Sequence, residues 1–122
     1  MTMIEILIVM TIVSLLAMLA YPSYESYVQR SRRANMLADM GNLAQLLEQS
    51  YSKNNAYDNA LDGSSLTNAF YTGSVDFSTG YKITATAKVG SSQVDDKARG
   101  TNCATLTLDH LGQRTPADCW PN

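Results

Sequence analysis

The apolar positions of this chain follow three successive patterns. From Ile4 to Tyr21 they run almost without interruption, and the 19 residues between Glu5 and Glu25 carry no charge. At 1.5 Å per residue such a helix spans roughly 28 Å, close to the hydrocarbon thickness of a bilayer. The pattern then becomes helical. Tyr24, Tyr27, Val28, Met36, Met40, Leu43, Leu47 and Tyr51 recur mostly at steps of three or four, with Arg30, Arg32, Arg33, Asp39, Gln45, Glu48 and Gln49 largely off the stripe. Lys53-Asn54-Asn55 supplies a basic last turn and poor helix formers, so the helix is expected to end near Lys53. A helix over 2–53 would be roughly 78 Å long. Only its second half can serve a domain core, and the first half must project.

Residues 54–79 are rich in Asn, Asp, Gly, Ser and Thr, and read as a long loop anchored by scattered aromatics. From Gly80 the period becomes two. Tyr81, Ile83, Ala85, Ala87 and Val89 alternate with Lys82, Thr84, Thr86 and Lys88, which predicts a half-buried strand. A second strand is expected over Cys103–Asp109, and Gln113–Thr115 can return as a short third after the turn at His110-Leu111-Gly112. The expected fold is α+β: a long N-terminal helix with a small antiparallel sheet packed on its C-terminal half. Two regions follow, 1–24 as a transmembrane half and 25–122 as a head, the latter divided into helix 25–53, loop 54–79 and sheet region 80–122.

The 9 Lys and Arg nearly balance the 11 Asp and Glu of the 122 residues. This excludes a disordered polyelectrolyte and a strongly basic nucleic-acid binder, and the segregation of apolar weight excludes an ordinary soluble globule. The length leaves no room for a multi-domain enzyme. A basic start, a short apolar run and a small-residue cleavage site would mark a secretory signal, and the first segment has none of them. Glu5 is the one charge in that segment. A carboxylate so placed is either wet at headgroup level or neutralised by a partner, the nearest unpaired cation being an amino terminus. Pro22 lacks an N–H and crowds the Met18 carbonyl, and Ser14 can bond back to the preceding turn, so residues 14–22 are expected to open where neighbouring helices can shield them.

Cys103 and Cys119 allow one internal pairing, worth about 3 kcal/mol, which a head of this size needs and which implies an oxidising compartment. A metal site from Cys103, Cys119 and His110 lacks a fourth ligand, and His110 reads as a solvated turn residue. Asp58–Gly63 resembles a calcium loop but fails at Ala60 and Ala69. There is no phosphate loop and no evident nucleophile–base pair. No catalytic residue, metal or cofactor is therefore expected. Arg30, Arg32 and Arg33 beyond the apolar run would by the positive-inside rule lie in the cytoplasm, whereas the cysteines place that side outside it. The cysteines are given precedence, since a removed leader can carry the opposing charge.

The stretch Met1-Thr2-Met3-Ile4-Glu5-Ile6-Leu7-Ile8-Val9 resembles the mature start of type IV pilins, and Pro22 and Tyr24 match the family pattern. Phe70-Tyr71-Thr72, Gly80 to Ala87, Gln93 with Asp96, Cys103 to Asp109, Gly112 and Cys119-Trp120 resemble the PilE-type pilins of Gram-negative bacteria, many of them minor pilins. Met1 in place of Phe, and Ala20-Tyr21 before Pro22, depart from it. No leader ending in Gly precedes Met1, so numbering is expected to start at the mature end.

The resemblance implies a pilus subunit that waits in the inner membrane and polymerises through its apolar helix into a surface filament serving motility, adhesion or DNA uptake. It implies that Glu5 pairs with the amine of a neighbour's Met1, itself N-methylated. The implied partners are other pilin subunits, a prepilin peptidase and the assembly machinery. The Cys103–Cys119 segment would be a variable surface. A type II secretion pseudopilin is the main alternative, disfavoured by the cysteines and the failed calcium loop. A DNA-receptor minor pilin is the other. DNA is not favoured as a partner because residues 54–122 hold five basic and seven acidic groups, a net −2. Lys82, Lys88, Lys97 and Arg99 leave room for a local patch. A non-pilin protein with a single membrane span would form no filaments.

Overall fold

The computed structural model describes residues 1–121. Helix α1 runs unbroken from Met3–Asn54, through Pro22. Its N-terminus is closed by a capping box: the Glu5 amide donates to Thr2 Oγ1 at 3.4 Å, and the Thr2 amide donates to Glu5 Oε2 at 3.1 Å. Its C-terminus is closed by Asn55, whose left-handed conformation (φ 54°) turns the chain while its amide bonds the Tyr51 carbonyl. Ser14 Oγ donates to the Met10 carbonyl at 2.7 Å, and Thr11 Oγ1 likewise to Leu7. These bonds keep both hydroxyls satisfied on an apolar surface.

Six strands follow: β1 (Tyr71–Asp76), β2 (Lys82–Ala87), β3 (Lys97–Ala98), β4 (Thr101–Asn102), β5 (Thr105–Asp109) and β6 (Arg114–Thr115). The main sheet is antiparallel in the order β1-β2-β5-β6, and β3-β4 form a separate ribbon. Tyr71 pairs with Ala87, Val75 with Ile83, Ile83 with Leu108, and Ala85 with Leu106. The inner face presents Tyr71, Ile83, Ala85, Ala87, Leu106 and Leu108 to Met36, Met40, Leu43 and Leu47 of α1, which are all buried. Packing thus explains why the alternation in β2 and β5 and the helical stripe meet in one core.

Two expectations need correction. The segment 54–79 is not loop throughout, because its end forms β1. Gly73 and Ser74 hide that strand from a β-propensity reading. Gly73 is required there: a Cβ would strike the Cβ of Leu66 and the carbonyl of Gly63 in the loop that crosses the sheet edge. That crossing is fixed by the Val75 amide bonding the Asp62 carbonyl at 2.8 Å. The helical stripe also differs at its start. Tyr24 and Tyr27 are exposed, and Arg33, expected off the stripe, is 8% exposed within it. The stripe holds at Met36, Met40, Leu43 and Leu47, and Arg33 and Leu37 join it, so a charged side chain sits where an apolar one would be assumed.

Candidate functional site

The loop after β2 is tied to the first turns of the head-bearing part of α1. Arg33 Nη1 reaches Asp96 at 2.7 Å. Gln29 Nε2 donates to the Ser92 carbonyl at 2.8 Å, and Arg32 Nη1 to Ser92 Oγ at 3.1 Å. Buried Gln93 donates from Nε2 to the Tyr71 hydroxyl at 2.8 Å and to the Gln29 carbonyl at 3.2 Å. Burial holds the Tyr71 hydroxyl above its usual pKa. This explains the spacing of Gln93 and Asp96: both sit on one 3₁₀ turn (Ser92–Asp95) and its exit, and both face the helix. The Arg32 guanidinium also stacks over the Phe70 ring, 3.8 Å from its centroid. Two of the three arginines that conflicted with the cysteines over orientation are therefore held by the head's own fold.

Asp96 leads directly into the β3-β4 ribbon. Its two-residue turn is Arg99-Gly100, with φ of 51° and 83°. Positive φ at both central residues is what a type I′ hairpin needs, and Asn or Gly would adopt it more readily than Arg. Arg99 is exposed and lies 3.9 Å from Asp118, which also accepts from Thr101 Oγ1 at 2.8 Å. Asp118 precedes Cys119, and the Cys103–Cys119 disulfide is formed. It fastens the C-terminal segment to the strand that follows the ribbon.

Between α1, this ribbon and the C-terminal segment lies a cleft of about 880 Å³. Its floor is apolar and low, with Ala34, Leu37, Ala38 and Gly41 on one wall, and Leu108 and Trp120 on the other. Its charge is one-sided. Of the 16 lining residues, Arg30, Arg33, Lys97, Arg99 and Arg114 are basic and Asp118 alone is acidic. Arg33 is committed to Asp96, which leaves four cations around the rim. Arg114 stands 5.4 Å from the Trp120 ring, which supports its guanidinium. Such a rim suits a ligand with several separated negative charges, because no single cation is buried and each can pair without desolvation.

Residues 22–107 match the family described as "Type IV minor pilin ComP, DNA uptake sequence receptor". The chain belongs to this family. The pilin is thus a subunit of a type IV pilus, with the long helix and antiparallel sheet expected of one. A comparison with curated proteins returns no match.

The other residues singled out in the sequence are dispersed over the pilin. Met1 is exposed at the start of the helix, and Glu5 faces its own N-terminus in the capping box. Ser14 and Pro22 lie within intact helix. His110 is exposed at the far end of the head, packed edge-on to Tyr81 at 6.3 Å. Tyr81 itself is buried, and burial, reinforced by Glu48, pushes its hydroxyl up to about 12. Asp58 and Asp62 bond backbone amides of their own turns, at Ala60 and Ser64. Among the described residues no cluster of His, Cys, Asp or Glu could hold a metal ion.

The rim itself escaped the sequence reading. Of Lys82, Lys88, Lys97 and Arg99, read as a local patch, only Lys97 and Arg99 line the cleft, and Arg30 and Arg114 join them through the fold. A net charge of −2 sums groups that the fold keeps apart: Asp76 ends β1 and Asp62 lies in the loop bonded to that strand, at the sheet edge opposite β6. The total does not describe this rim, because placement rather than the sum decides what a surface attracts.

Proposed function

We propose that this pilin is the DNA-receiving subunit of its pilus, with the cleft rim as the contact surface. The observation that carries the proposal is the sorting of charge, four exposed basic residues around the rim against Asp118 alone, once Arg33 is set against Asp96. The family's description as a DNA uptake sequence receptor supports it. Arg30, Lys97, Arg99 and Arg114 supply the phosphate contacts, which fix register but select no sequence. The apolar floor and the Arg99 turn are the parts able to meet base edges or sugars between phosphates.

The remaining assignments follow the same reading. The helix up to Tyr24 is long and apolar enough to cross a membrane, and none of that stretch is buried within the chain. It anchors the subunit in the inner membrane, with the oxidised head on the outer side, and enters the filament core on assembly. Glu5 then pairs with the N-methylated amine of a neighbour's Met1. Prepilin peptidase and the assembly machinery act before that step. The role is structural and receptive, with no catalysis and no cofactor.

Binding of a labelled DNA duplex to the full chain in detergent, titrated with salt, tests the proposal. Four phosphate contacts give a log K against log salt slope of about −3.6. Replacing Arg30, Lys97 and Arg114 together by Gln should abolish most of the affinity and flatten the slope. Saturable binding unchanged by that triple substitution overturns the assignment of the rim. Absence of saturable binding at low salt overturns the receptor reading.

A further inference from the structure

We propose that the helix-anchored end of the head docks on anionic lipid headgroups of the membrane that the same chain spans. The inference rests on the membrane-anchored reading above and concerns the subunit before assembly.

Direction comes from the contacts. β2 begins beside Tyr57 and Glu48, toward the far end of α1, and ends where Ser92 meets Gln29 and Arg32. The strand therefore runs toward the membrane segment. The turn that follows it, Lys88-Val89-Gly90, is carried past Ala87 in that direction. Gln29 and Arg32 lie only four and seven residues beyond Glu25, about 6–10 Å of helix. The polar layer on each face of a bilayer is about 5–7 Å thick. With Tyr24 at the hydrocarbon boundary, Gln29 stands about 8 Å and Arg32 about 12 Å above it, so a turn carried past them toward the membrane comes up to the outer edge of the headgroups.

The chemistry of that end fits a lipid surface. Val89 is fully exposed, at 100%, with nothing of its own chain covering it. Lys88 and Arg32 flank it in a shallow hollow lined also by Phe70 and Ser91, and no acidic side chain lines that hollow. Arg32 is held in place by Phe70 and Ser92. Two acidic groups lie nearby, Glu25 on the same helical face as Gln29, and Asp95 at the end of the 3₁₀ turn. Tyr21, Tyr24 and Tyr27 are exposed along the boundary turns of α1, the place where aromatic side chains settle at headgroup level. An exposed aliphatic tip between two cations is the arrangement by which a protein surface enters an anionic interface. The cleft rim lies on another side of α1, so the docked head leaves it open.

The test uses the full chain in vesicles of neutral phosphatidylcholine, with and without anionic phosphatidylglycerol, whose acyl chains are brominated close to the headgroup. Flotation reports whether the helix is inserted. Val89→Trp, at a position that packs on nothing, reports depth by quenching. The unsubstituted chain is followed in parallel by broadening of the Val89 and Gly90 amide signals from a spin label on the headgroups. We expect both effects in anionic vesicles. Lys88→Gln should reduce the docked population on the order of fivefold, the weight of one charge near an anionic surface. A chain that floats but shows neither quenching nor broadening overturns the docking. Equal effects in neutral vesicles overturn the role of charge. A chain that fails to float overturns the anchoring reading and this proposal with it.

Discussion

Arg33 donates from one nitrogen, Nη1, to both carboxylate oxygens of Asp96, each at 2.7 Å, in a seam from which solvent is excluded. The pair joins the helix that carries the exposed apolar segment to the ribbon that carries Lys97 and Arg99. Removing one partner leaves an uncompensated buried charge, which costs more than the pair contributes. Arg33→Met or Asp96→Leu alone should destabilise the head by about 3–5 kcal/mol in denaturant unfolding. The double variant should recover a large part of that loss. Simple additivity of the two losses would show that the pair is not coupled.

Arg99 separates stability from binding. Asn adopts positive φ more readily than Arg, so Arg99→Asn should leave the unfolding midpoint unchanged or slightly raised. The same substitution should weaken DNA binding and reduce the salt slope by about 1. Loss of both stability and affinity would make Arg99 a structural residue of the turn.

What the sequence disclosed and what it hid have different physical origins. The helix, β2 and β5 announced themselves because one face of each is buried and the period of burial is local. Cys103 and Cys119 could pair only with each other. β1 was obscured because Gly73 answers to a crossing loop rather than to strand propensity. The β3-β4 ribbon has two-residue strands, too short for any periodicity. Arg33 reads as a water-facing position because its partner, Asp96, lies 63 positions away and nothing local marks the pair. The cleft rim draws on helix, ribbon and β6, and no local pattern records such a meeting.

The disulfide closes the cleft as well as the fold. Replacing Cys103 and Cys119 by Ser should cost about 2–5 kcal/mol of stability. Trp120 follows Cys119 directly and is buried, so the wall that supports Arg114 should loosen with it. The expected outcome is a drop in both unfolding midpoint and DNA affinity. A wild-type chain with two titratable thiols after export would contradict the bridge.

Tyr71 and Tyr81 make the head sensitive to alkali. Both hydroxyls are raised above 10 by burial, Tyr81 to about 12. The folded state thus favours their neutral forms. Their contribution is complete below the unfolded value near pH 10 and is lost as pH rises through the folded values. Stability should be flat from neutral to about pH 10 in this respect, then fall toward pH 12. Tyr81→Phe should remove part of the fall, measured as unfolding midpoint against pH.

A filament gives the helix a different environment from that of the single chain. Pro22 leaves the Met18 carbonyl without its helical donor, and lipid penalises any further opening. Neighbouring helices in a filament can shield opened backbone, so residues from Ser14 to Pro22 should be extended there, with helix on both sides. Each opened residue lengthens from 1.5 Å toward about 3.3 Å, which lets a rod stretch under load. A filament reconstruction showing continuous helix through these residues would refute the extension.

The capping box at Thr2 and Glu5 gives the carboxylate an occupation before any neighbour arrives. Its oxygen already accepts from the Thr2 amide and hydroxyl, at 3.1 and 3.3 Å. In the proposed filament a neighbour's amine would take it over, release those donors and replace one set of hydrogen bonds by another. Entry into a filament is then a swap at the tip of the helix, not the rescue of a bare charge. A swap runs in either direction. On that proposal a subunit drawn back into the membrane would restore its own cap and return in the form from which it left.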